Sequence, residues 1–184
     1  MKKSIREREI VTDPELGEMT CVVATDVTAL GQAWHDMYDL SSQPDSVPSM
    51  WQIEKEILLW EKTYPLKILI SAVDVHAVFK GEVEPGAIAD NHRLAIKNIA
   101  TTVAEQADRL AEALLADYNH TIEVTDYSSK TFKSTDSFSD IQDYIYSFTI
   151  HFGDEGDGVI FQVHVDWEQE HGFERVFTDN KIVF

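Results

Sequence analysis

The spacing of apolar residues changes along this chain, and each change predicts an element. Between Pro85 and Tyr118, His92, Ile96, Ile99, Val103, Ala107, Leu110, Leu114 and Tyr118 recur at intervals of three and four. That period predicts one long amphipathic helix, about 45 Å at 1.5 Å per residue, opened by Glu84 and Pro85. Past Asn119-His120 the period falls to two. Tyr144, Tyr146, Phe148, Ile150 and Phe152 form one strand face and Val159, Phe161, Val163, Val165 and Trp167 the next, joined by the glycine-rich loop 153–158. Shorter strands follow over Phe173–Phe177 and Lys181–Phe184, and Ile122–Tyr127 is a candidate strand before them.

Towards the N-terminus the pattern is weaker. Asp13-Pro14-Glu15-Leu16-Gly17 reads as a turn, Met19–Ala24 as a strand, and Val27, Leu30, Trp34 and Met37 as a short helix capped by Thr25 or Asp26. Met50–Trp60 fits a helical stripe as well as a strand. Pro65 and the β-branched run Leu66–Ile70 favour a hairpin turning at Glu61-Lys62-Thr63. Residues 41–49 and 128–140 are polar and serine-rich and read as surface loops, and residues 1–12 as a disordered start. The expected fold is a single α+β domain over 1–184. An antiparallel sheet meander packs against one long helix, with a smaller N-terminal α/β portion.

A chain of 184 residues with 43% hydrophobic and 26% charged positions has the composition of a folded domain rather than a disordered one. Its formal net charge is −18. A surface of that sign disfavours nucleic acid and anionic membranes as partners and suits a basic one. Cys21 is the only cysteine, so an intramolecular disulfide framework is excluded. The start lacks an apolar signal core, and no apolar run approaches the roughly 20 residues of a membrane span. A cytoplasmic location is expected.

The densest group of chemically versatile side chains is His164, Asp166, Glu168, Glu170 and His171. Imidazoles and carboxylates are zinc ligands and acid–base groups, but this spacing matches no known metal motif and equally describes a wet sheet face ending in a polar turn. No metal, cofactor or catalytic residue is assigned. The loop Asp154-Glu155-Gly156-Asp157-Gly158 lacks the span and the glutamate of a calcium hand, and no glycine-rich phosphate loop or Gly-x-Ser-x-Gly elbow occurs. Cys21 and the four tryptophans read chiefly as core, and His92, on the helix's apolar stripe, as a partnered, half-buried histidine rather than a ligand.

Val163-His164-Val165-Asp166-Trp167-Glu168-Gln169-Glu170-His171-Gly172-Phe173, followed by Asp179-Asn180-Lys181-Ile182-Val183, resembles related bacterial families of unknown function. Their last strands carry Trp-Asp-Glu-Glu-His-Gly and then a short hairpin; here Glu168 and Gln169 replace the aspartate and the first glutamate. The helix ending Leu114-Leu115-Ala116-Asp117-Tyr118, the turn Asp13–Gly17 and the segment Ile57–Leu66 are similar to theirs as well. Such families occur near polymorphic toxin loci, and several members are regarded as immunity-like. The resemblance implies a binding protein that docks a basic toxin domain, and it carries over no catalytic residue. A metal-dependent hydrolase using His164, Asp166, Glu170 and His171, and an oligomerising structural or regulatory module, are the alternatives.

Overall fold

Alternation of buried and exposed side chains marks the strands of this chain, as in one where Tyr64, Leu66, Ile68 and Ile70 are buried while Pro65 and Lys67 between them are exposed. The computed structural model describes residues 5–27, 36–37, 45–71, 80, 88, 90–124, 132–153, 159–178 and 181–184. The strands are β1 (Ile10–Asp13), β2 (Gly17–Asp26), β3 (Ser46–Leu59), β4 (Lys62–Ser71), β5 (Ile145–Phe152), β6 (Val159–Val165), β7 (Glu168–Thr178) and β8 (Lys181–Ile182). They form one eight-stranded sheet in chain order. The pairings of β1 with β2, β2 with β3, and β5 through β8 are antiparallel. Two helices, α1 (Asp90–Glu105) and α2 (Ala107–Val124), separate β4 from β5. No helix among the described residues is long and apolar enough to cross a membrane.

The expected fold class is therefore corrected. In place of a meander packed on one long helix, the described residues form a sheet-dominated architecture in which the expected long helix is split into α1 and α2. The break falls at Gln106, whose amide donates to the Val103 carbonyl at 3.1 Å, a tightened turn. Two other groups hold this point. The Gln106 Oε1 accepts the Ile182 amide at 2.8 Å, and the Trp60 indole donates to the Ala107 carbonyl at 3.1 Å. The apolar stripe passes through the break undisturbed, since Val103 and Leu110 on either side are both fully buried.

Three further expectations change. Ile122–Val124, read as the start of a strand, is the last turn of α2. Ser46–Ser49, read as loop, opens β3: Val47 is buried, and the Ser49 and Ser46 hydroxyls bond to Thr25 and to the Ile5 carbonyl. Residues 5–12, read as part of a disordered start, are described and lead into or join the sheet; of the expected N-terminal α/β portion the strands are described, together with Asp36 and Met37, which are helical. The Arg8 amide donates to the Cys21 carbonyl and the Cys21 amide to Glu9, just before β1. The helix predicted over Val27–Met37 lies outside the described residues apart from Val27, Asp36 and Met37, as do the loop 154–158 and residues 128–131.

The chain divides into two compact units. One comprises Met1–Glu54, Ile68–Lys97 and Phe152–Asp157. Within it Asp13, largely buried, accepts the Glu15 and Leu16 amides and closes the β1–β2 turn. The Arg93 guanidinium grips both Asp13 carboxylate oxygens, at 3.0 and 2.9 Å, and holds the acid at about 2, well below the ordinary carboxylate value. Cys21 is fully buried, and that burial raises its thiol pKa.

The second unit comprises Lys55–Lys67, Asn98–His151 and Gly158–Phe184. Its interior is aromatic. Tyr118 meets Trp167 edge to face at 5.2 Å, and Phe148 lies against Tyr64 and Phe161 at 5.3 and 5.9 Å. Two consecutive side chains of α2 tie down the segment after it. The Tyr118 hydroxyl bonds both the amide and carbonyl of Lys133, and the Asn119 carboxamide does the same for Thr135.

Candidate functional site

Val163 and Val165 of β6 face the buried side of the second unit, so alternation turns His164 to the open face of the sheet. There His164 Nε2 and the Thr149 hydroxyl share a hydrogen bond of 2.8 Å, and the Tyr146 ring lies 5.9 Å away. Partial burial lowers the His164 pKa, and the nearby Lys67 ammonium lowers it further. Both causes favour the neutral imidazole over the imidazolium.

Beyond Val165 the chain reverses through Asp166 and Trp167. Val165 pairs with Glu168, whereas Val163 pairs with Phe173, so four residues of β7, Gln169–Gly172, stand opposite His164 alone. This bulge is fixed from three sides. Trp167 is fully buried and its indole donates to Asp117 of α2 at 3.1 Å. Glu168 Oε1 accepts the Glu170 and His171 amides, and the Gln162 carboxamide donates to the His171 carbonyl. Gly172 has φ +65°, and a Cβ there would sit 2.5 Å from the Val163 carbonyl oxygen. Glycine is needed both for the left-handed backbone and for the close approach.

Of the five residues singled out from the sequence, His164 alone lies on the regular sheet face. Asp166, Glu170 and His171 are exposed on the turn and bulge, Glu168 is half-exposed, and His171 Nδ1 lies 3.9 Å from Glu168. Among the described residues no three His, Cys, Asp or Glu side chains come together as a metal site requires. The ligand set of the hydrolase alternative, His164, Asp166, Glu170 and His171, is therefore not assembled. What the arrangement can do is present carboxylates from a stiff scaffold beside a neutral imidazole.

Sequence reasoning missed part of this surface. Tyr146, read with the buried face of β5, is thrown to the open side by a register shift between Ile145 and Ser147. Ile160 and Val176, paired across β6 and β7, are both exposed there. The available signal was an aliphatic residue at a position that strand alternation assigns to solvent.

These features define a sheet protein whose distinctive sequence, Trp167–Gly172, serves first as architecture. The chain belongs to the family described as a domain of unknown function (DUF6985), whose model matches residues 49–184. No curated protein and no solved structure matches the chain.

Proposed function

We propose that this is a non-catalytic binding protein of immunity type, cytoplasmic and bacterial, which docks a basic partner such as a toxin domain through the β6–β7 hairpin end: His164, Asp166, Glu168, Glu170 and His171. The observation that carries this reading is the rigid hold on the hairpin. Trp167 and Gly172 anchor it from within while Asp166, Glu170 and His171 stand in solvent. Because the backbone that carries these carboxylates is already fixed, docking a cation orders only their side chains and not the hairpin itself. The net charge of −18 supports the same reading, because a field of that sign accelerates encounter with a basic surface. It also discourages nucleic acid and anionic membranes.

Co-purification from the native host tests the proposal. A basic protein should be recovered, with an association rate that falls about tenfold or more as salt is raised. The paired variants Asp166→Lys and Glu170→Lys should slow association further while leaving the fold intact. Recovery of no basic partner, or an association rate indifferent to salt, overturns the reading.

A further inference from the structure

The open face of β5, β6 and β7 carries more than the hairpin end. The register lines its side chains up in rows: His151, Ile160 and Val176 form one, Thr149, Gln162 and Glu174 the next, and Ser147 with His164 the third, against which Tyr146 packs. Tyr146, Ile160 and Val176 are 49%, 44% and 53% exposed. Single exposed apolar side chains are ordinary on a protein surface. These are not scattered: Ile160 and Val176 are direct cross-strand partners, and Tyr146 closes the other end of a strip about 13 Å long at 3.3 Å per residue. Gln162, at its centre, is already bonded to Glu174 and to the His171 carbonyl, which joins the strip to the bulge.

We infer that this strip is the centre of the docking surface, with Tyr146, Ile160 and Val176 as apolar anchors on either side of the polar row Thr149, Gln162 and Glu174, and with Glu168, Glu170 and Asp166 as an acidic rim that selects a basic protein. The inference rests on the proposed binding function and extends it from the hairpin end to the sheet face. Aromatic and aliphatic anchors bordered by charged side chains are the usual anatomy of a protein interface. Charge chooses between the two occupants such a face suits. A second copy of this chain would bring two surfaces of net charge −18 together, whereas a basic partner relieves that field. The neutral form of His164 is favoured by its partial burial and by the Lys67 ammonium nearby, the one cationic group among the described residues that this histidine senses.

Hydroxyl-radical footprinting of the complex with the basic protein recovered from the host reads these side chains directly. The expected result is protection of Tyr146, Ile160, His164 and Val176 relative to the free chain. The double variant Ile160→Lys, Val176→Lys should lose about tenfold or more in affinity with an unchanged circular dichroism spectrum. Protection elsewhere, with binding by the double variant unaltered, overturns the inference while leaving the docking function standing. The absence of any basic partner removes both. A free chain that sediments as a dimer with the same residues protected assigns the face to a second copy and overturns it too.

Discussion

Gly172 shows how one residue fixes the surface around it. It has a positive φ, +65°, as does Gly17, at +87°, yet the two sit in different surroundings. At Gly17 a Cβ would meet nothing within 4 Å; at Gly172 it would meet the Val163 carbonyl oxygen at 2.5 Å. Alanine at Gly17 should therefore cost only the left-handed backbone term, about 1 kcal/mol. Alanine at Gly172 adds a clash with backbone that cannot swing aside, and the cost should exceed about 3 kcal/mol, with the β6–β7 bulge displaced. Urea unfolding of the two variants side by side checks this. Equal losses would mean that the bulge gives way and that the hairpin end is softer than its bonding implies.

At the scale of elements, the β3–β4 hairpin carries strain that its sequence does not relieve. The turn residues Trp60 and Glu61 have φ of +50° and +63°, the pair of positive values that favours Asn-Gly in two-residue hairpins. Trp60 is held there by side-chain contacts: its indole bonds to Ala107, its ring lies 4.6 Å from Phe138, and its carbonyl accepts from Gln142. Glu61 is exposed. Glu61→Gly should accordingly stabilise the protein by about 0.5–1 kcal/mol, read as a higher denaturant midpoint at unchanged slope. Destabilisation would place the turn's cost elsewhere. The hairpin itself was legible from the sequence, because Pro65 and Leu66–Ile70 state a strand, but its turn falls at Trp60-Glu61 and not at Glu61-Lys62-Thr63 as expected; its strain was not legible, since neither Trp nor Glu announces a positive φ. The same distinction holds elsewhere. The strands β5 and β6 were legible from Phe148 and Val159 onward by period two, but the shift that exposes Tyr146 changes no residue type. The helix break at Gln106 escaped for a related reason, since it leaves the three-and-four spacing of apolar residues unbroken. In the candidate site, the roles of Trp167 and Gly172 were readable from residue chemistry, whereas the row joining Ile160 to Val176 exists only once the register is set.

For the molecule as a whole, the excess of 33 acidic over 15 basic side chains acts in two opposite ways. Self-repulsion weakens the folded state, while on the proposed function the same field draws in a cationic partner. Salt screens both, over a distance of about 10 Å at 0.1 M. Raising ionic strength should therefore stabilise the free protein and slow its association, effects of opposite sign from one cause. The stabilising part is small, since close pairs such as Arg93 with Asp13, the latter largely buried, are screened less than exposed charges. A rise in Tm of a few degrees between low salt and about 0.3 M is expected. Differential scanning calorimetry on the free chain and stopped-flow association over the same salt series supply the two halves. If Tm instead falls with salt, the carboxylates are already matched in local ion pairs and no long-range field is left to steer a basic surface towards the sheet. If Tm rises while the association rate stays flat, the field exists but is turned away from the docking face. Only the two trends together tie the charge of the whole chain to the surface formed by β5, β6 and β7.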